Sequence, residues 1–137
     1  MAHKRNLLPK QAFDIMQEND KVLFVDVRCS AERKFVGFPK GSVLIPWQEE
    51  PKWQVNEDLF IDSVKDELAD RKNIFDAEII LICRSGYRSN DALKCLEKSG
   101  FNKVSHVASG FEGDLDEHNQ RGNLNGWRKD EMPWSQS

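Results

Sequence analysis

The sequence predicts an α/β fold: a small, mainly parallel sheet flanked by helices on both faces. Three observations predict it. The chain has 137 residues, a length that fits one domain. Short apolar runs recur at Val22-Leu23-Phe24-Val25, Ser42-Val43-Leu44-Ile45, Glu78-Ile79-Ile80-Leu81-Ile82 and Val104-Ser105-His106-Val107. Such runs suit strands covered on both faces. Segments of helical period separate them, and that alternation builds crossovers over a parallel sheet.

Each element has a local reason. Pro9 suits the first position of a helix, where its missing N–H does no harm. Ala12, Phe13, Ile15 and Met16 give that helix an apolar face, and Asn19-Asp20 ends it. The run at 22–25 reads as the first strand. Asp26-Val27-Arg28 follows, then Ser30 as N-cap of a helix over 31–36, with Gly37 as terminator. The run at 42–45 stops at Pro46. Phe60, Val64 and Leu68 recur every four residues, so 58–69 reads as an amphipathic helix. A buried strand over 78–82 leads to Cys83, and a helix over 90–98 buries Ala92, Leu93 and Leu96 before Gly100. The run at 104–107 turns at Ser109-Gly110-Phe111-Glu112-Gly113. One domain over 1–137 is expected, with its core about 6–113. Residues 114–137 read as a tail wrapping the surface, pinned by Trp127 and Trp134.

Composition excludes several function classes. The net charge is −3, from 20 Lys+Arg against 23 Asp+Glu. A general nucleic-acid binder needs a strong basic excess, so no nucleic-acid partner is expected. No apolar run approaches the roughly 20 residues that span a membrane. The N-terminus is basic without a signal-length apolar core. No membrane partner and a cytoplasmic location are therefore expected. The cysteines are Cys29, Cys83 and Cys95. An odd number without a signal peptide argues against a disulfide scaffold. His3, His106 and His118 show no ligand spacing with them, so no metal site is expected. The histidines read as solvated or structural.

Cys83-Arg84-Ser85-Gly86-Tyr87-Arg88-Ser89 carries the chemistry. A cysteine at a strand end, then a Gly-containing loop, then a helix start, builds a nest for a thiolate or an anion. Ligands of parallel sheets bind outside the carboxyl ends of strands. A thiol ionises more readily at a helix N-terminus or near cations. Gly86 permits a backbone conformation in which the loop N–H groups converge. Arg84 and Arg88 add forked cations suited to sulfonate, sulfate or phosphate oxygens. The alternative reading is a buried structural thiol, but two Arg and two Ser beside it serve no packing purpose.

These seven residues resemble the Cys-x-x-Gly-x-Arg-Ser/Thr active-site loop of single-domain rhodanese-like sulfurtransferases. Asp26-Val27-Arg28 with Glu32 is similar to that family's Asp-Val-Arg…Glu segment. Gly37-Phe38-Pro39-Lys40-Gly41-Ser42 is similar to its Gly-His-Ile-Pro-Gly-Ala turn, and Ile45-Pro46 to its Asn-Ile-Pro. Gly110-Phe111 stands near its Gly-Gly turn. The likeness covers about residues 6–113. Phe38 departs from the usual His, and Pro39-Lys40-Gly41 is shifted from Ile-Pro-Gly.

The resemblance implies a rhodanese-like fold and sulfur transfer without a resident cofactor. Cys83 would attack the outer sulfur of thiosulfate, form a persulfide and release sulfite. A persulfide donor is equally admitted. Cyanide, a thiol or a protein partner would then take the sulfur. Arg84 and Arg88 would hold the sulfonate end of the donor, within a loop completed by Ser85, Gly86, Tyr87 and Ser89. Two covalent half-reactions imply ping-pong kinetics. A non-catalytic binding or regulatory module and a sulfur carrier are the alternatives. Retention of Cys83 and both loop arginines speaks against the first, and the carrier differs only in its acceptor. Cysteine phosphatases and arsenate reductases are a third, but the phosphatases need Cys-x5-Arg. Arg88 is five positions after Cys83, and the shorter ring fits sulfur better than phosphate.

Supporting residues follow from position. Asp26 ends a strand and is expected to orient a loop arginine, Arg88 by preference, or else to cap a turn. Arg28 and Glu32 are four apart and are expected to pair on a helix surface. Cys95 reads as a core thiol, since twelve helical residues carry it about 18 Å from Cys83. Cys29 follows the Asp26 strand end and could approach the site as a redox partner. Trp47 either lines the pocket mouth or packs. Trp53, Trp127 and Trp134 read as packing residues.

Overall fold

A computed structural model describes residues 3–136. Met1, Ala2 and Ser137, counted above in the basic start and the tail, lie outside them. The elements in chain order are β1 (Asn6–Leu7), α1 (Pro9–Glu18), β2 (Leu23–Asp26), α2 (Ser30–Phe35), β3 (Phe38–Pro39), β4 (Val43–Leu44), α3 (Glu57–Glu67), a 3-10 turn (Ile74–Asp76), β5 (Glu78–Ile82), α4 (Tyr87–Lys98), β6 (Lys103–Val107) and β7 (Trp134–Ser135).

Five strands form one sheet in the order β1-β6-β5-β2-β4. Every pairing in it is parallel. The register sets Val25 beside Leu81 and Asp26 beside Ile82, so the carboxyl ends of β2 and β5 lie side by side. That neighbourhood brings Asp26 and Cys83 to one edge.

Side chains alternate across the central strand. Ile79, Leu81 and Cys83 face a core with Phe60 and Val64 of α3, Leu68 just after it, and Ala92, Leu93 and Leu96 of α4. Ile80 and Ile82 face a second core with Ala12 of α1, Phe111 and Trp127. Both faces are therefore covered, which is why the strands read as unbroken apolar runs. The α/β layer expected from the sequence is the fold observed.

Several boundaries differ. The helix expected over 58–69 is α3, Glu57–Glu67, because Asn56 caps it by accepting the Leu59 N–H at 3.0 Å. Cys29, not Ser30, is the N-cap of α2. Its N–H is accepted by Glu32 Oε1 at 3.3 Å. Helix α4 begins at Tyr87, three residues before the expected start, so Arg88 and Ser89 belong to its first turn.

The tail is more than a wrap. Trp127 is 1% exposed, packs 5.3 Å from Phe24 and donates Nε1–H to the Pro133 carbonyl at 2.8 Å. Beyond it, β7 pairs antiparallel with β3. Trp134 packs edge to face on Phe111 at 5.9 Å. Trp53, expected to pack, is instead 46% exposed. Among the described residues, no helix is long and apolar enough to cross a membrane.

Candidate active site

Cys83 leaves the end of β5 and its side chain turns into the first turn of α4. Its Sγ accepts the Gly86 N–H at 3.1 Å and the Ser89 N–H at 3.3 Å. These are donors that a helix start leaves without intrahelical partners. Gly86 supplies no side-chain cap, and no acidic residue occupies the first turn. The sulfur thus sits where a capping oxygen normally would, in the positive end of the helix dipole. It is an anion position filled by a thiol.

The loop is pinned from behind by the turn after β6. The Cys83 carbonyl accepts the Phe111 N–H at 2.7 Å, and the Arg84 carbonyl accepts those of Glu112 and Gly113 at 3.0 and 3.2 Å. Gly86 has φ +108°, and a Cβ there would collide with the Ala108 carbonyl oxygen. A Cβ on Gly110 would collide with the Arg84 carbonyl. Both positions need glycine for close backbone approach.

The arginines divide differently from expectation. Arg88 does not pair with Asp26; it grips Glu32, Nη1 to Oε1 at 2.7 Å and Nη2 to Oε2 at 3.0 Å. Burial opposes ionisation of Glu32, but the hydrogen bonds and charge of Arg88 outweigh it and hold the carboxyl down at about 2. The expected surface pair of Arg28 with Glu32 is likewise replaced. Arg28 is fully buried and forks onto Asp26, Nε to Oδ1 and Nη2 to Oδ2, both at 2.8 Å. It also donates to the Gly37 carbonyl at 2.6 Å and stacks on the Phe111 ring at 4.6 Å. Arg33 adds a third contact, Nη1 to Asp26 Oδ2 at 3.2 Å. Asp26 and Arg28 therefore tie β2 to the chain around Gly37. The sequence spacing of four suggested a helical pair, but Arg28 precedes α2 and points inward.

Arg84 is exposed, and its guanidinium has no partner among the described residues. Tyr87 is 81% exposed, whereas Ser85 is buried. Phe38, at the usual His position, lies under the Arg33 guanidinium at 4.1 Å in β3. Trp47 resolves toward packing, edge to face with Phe60 at 5.1 Å.

Burial pushes the Cys29 thiol up; the Glu32 backbone N–H works against that, and the Glu32 side chain adds to it. Burial, followed by Glu57, pushes Cys95 up to about 11. All three cysteines are free. No group of His, Cys, Asp and Glu that could hold a metal occurs among the described residues.

Sequence reasoning missed one residue. His106 is buried in β6, with Nδ1 2.7 Å from Ser89 Oγ and Nε2 2.8 Å from Asn6 Oδ1. The Cys83 thiol in turn donates to Ser89 Oγ at 3.4 Å. Burial pushes His106 down to about 4, helped by the charge of Arg5. The available signal was a lone histidine inside an apolar strand. Its significance depends on the β5–β6 register, Leu81 beside His106, which no local pattern states.

A family model for the rhodanese-like domain matches residues 9–117. The chain belongs to the rhodanese-like domain family. An uncharacterized protein of Rickettsia conorii is 31% identical over 137 residues, covering 95% of this chain and 96% of that one. The crystal structure of Rv0390 from M. tuberculosis is 34% identical with a TM-score of 0.80, covering 99% of this chain and 100% of that one. A polysulfide-sulfur transferase homodimer from Wolinella succinogenes shares the fold at 20% identity and a TM-score of 0.61, covering 98% of this chain and 80% of that one. The cradle around Cys83 is thus the loop of a rhodanese-like domain, with the ends of β5 and β2 beside it.

Proposed function

We propose that this rhodanese-like protein is a sulfurtransferase that carries sulfane sulfur on Cys83. The observation that supports this best is the convergence of two backbone N–H groups on one sulfur at a helix start. Such donors favour an anion and cost no reorganisation when it forms. In the first half-reaction the Cys83 thiolate attacks the outer sulfur of thiosulfate. A new S–S bond forms, the donor S–S bond breaks, and sulfite departs with the electron pair. In the second, an acceptor thiolate or cyanide attacks the outer sulfur and returns the Cys83 thiolate. The enzyme needs no resident cofactor, because the persulfide is the carrier.

The two loop arginines take separate roles. Arg88, neutralised by Glu32, braces the first turn of α4 so that its N–H groups stay aimed at sulfur. Arg84, with an unpaired guanidinium, receives the anionic end of the donor. Donor and acceptor are small molecules, with a protein acceptor as the alternative second substrate. A phosphate monoester is a poor fit, since the ring from Cys83 to Arg88 is one residue shorter than phosphatase chemistry needs.

Steady-state assays with thiosulfate and cyanide test the activity. Parallel lines in double-reciprocal plots are expected for the two-step covalent route. Intersecting lines, or full activity in Cys83→Ser, would reject it.

A further inference from the structure

A chain of hydrogen bonds runs inward from the reactive sulfur. Cys83 Sγ–H donates to Ser89 Oγ, Ser89 Oγ meets His106 Nδ1, and His106 Nε2 meets Asn6 Oδ1. Cys83, Ser89 and His106 are 1%, 0% and 4% exposed. Asn6 Oδ1 can only accept, so Nε2 carries the imidazole proton. Nδ1 is then bare, and at 2.7 Å it takes the single hydroxyl proton of Ser89 ahead of the Gly86 carbonyl at 3.2 Å. Ser89 can therefore accept from a thiol, but it has nothing to give an anionic sulfur.

We propose that His106 is a positioning residue that changes tautomer as Cys83 becomes anionic, carrying the thiol proton out through Ser89. The proton of Cys83 passes to Ser89 Oγ, and the hydroxyl proton passes to His106 Nδ1. The Nε2 proton leaves to water in an open depression of about 460 Å³, lined by Asn6, Ser85, Tyr87, Asn90, His106 and Asp114. The exposed Asn6 amide turns to offer its N–H to Nε2. Nδ1–H now donates to Ser89, whose hydroxyl swings to donate to the sulfur anion. The net change is one thiol proton delivered to solvent, with no charge left on the ring.

The surroundings suit a ring that passes a proton on rather than keeping it. Burial and the nearby Arg5 charge hold the imidazolium down at about 4. Asp114 lines the same depression as the ring. The third sulfur donor, Ser89 Oγ, is then available only in the anionic states. Applied to the persulfide, the inference rests on the sulfur-transfer reading; applied to the thiolate, it does not.

Side-chain 15N spectra of the histidines in the full-length protein read the tautomer directly. With Cys83 as a thiol, His106 is expected with its proton on Nε2. Raising the pH until Cys83 ionises should move it to Nδ1, whereas Cys83→Ser should keep Nε2–H over the same range. Treatment with thiosulfate at neutral pH should produce the Nδ1–H form too. A His106 that keeps Nε2–H when Cys83 ionises overturns the proposal. A switch on ionisation without sulfur uptake from thiosulfate supports it and rejects the sulfur-transfer reading instead. As a second measure, Ser89→Ala, which breaks the chain between sulfur and ring, should leave His106 with its proton on Nε2 when Cys83 ionises. A tautomer switch that persists in this variant also overturns it.

Discussion

Glu32 and Arg88 meet at two points, 2.7 and 3.0 Å, across 56 residues of chain. One belongs to the first turn of α2 and the other to the first turn of α4. Their pairing fixes the second helix start against the first, and with it the N–H groups around Cys83.

Replacing Glu32 with Gln should lower stability by about 2 kcal/mol at pH 7, because a half-buried guanidinium loses its charged partner. The pH dependence has a definite sign. The carboxyl sits at about 2 in the folded protein against an ordinary 4.5. Its stabilisation is therefore fully present above about 4.5 and is lost as the pH falls through 2. Urea denaturation from pH 7 to pH 3 should show the gap between Glu32→Gln and wild type narrowing only below about 4.5. A gap that is constant across that range would contradict the assignment.

The buried fork of Arg28 on Asp26 should be costlier to break. Asp26→Ala leaves two guanidinium groups facing a vacated site, one of them fully buried. A loss of about 3–5 kcal/mol is expected by denaturant unfolding, the usual scale for orphaning a buried charge. A loss below about 1 kcal/mol would mean the pair is not what ties β2 to the Gly37 turn.

Gly86→Ala should fail at the site itself. Its φ of +108° disfavours any side chain, and the added methyl meets the Ala108 carbonyl. Stability should fall by at least about 1–3 kcal/mol from backbone strain alone. Sulfur transfer should fall to the level of Cys83→Ser, read with thiosulfate and cyanide. Wild-type turnover in this variant would show that the Gly86 N–H is dispensable.

Much of this was legible in the sequence, and the reason is locality. The run from Glu78 to Ser89 states its strand, its loop and its helix in consecutive residues, so Cys83 could be found without a structure. The ion pairs could not. Glu32, Arg28 and Arg33 lie within six residues, and spacing alone favoured a helical pair. Their partners were decided by the parallel β2–β5 register and by Arg28 turning inward before α2 begins. His106 was hidden for the same reason, since its value comes from lying beside the end of β5. Trp127 and Trp134 were legible as the residues that pin the tail, but the polar, weakly periodic segment concealed β7, because two-residue strands leave no period to read.

Trp127→Ala tests that last point. The side chain fills the second core against Phe24 and holds the segment before β7. Truncation should cost about 3–5 kcal/mol, the range for large aromatic residues in cores. A change near zero in the denaturation midpoint would return the tail to a dispensable wrapping.

The most direct test of sulfur transfer is the intact mass of the protein after exposure to thiosulfate. Wild type should gain one sulfur atom, mapped to Cys83, and lose it again on addition of cyanide or a thiol. Cys83→Ser should gain none. An unchanged wild-type mass, or sulfur found on Cys29 or Cys95 in place of Cys83, would contradict the account.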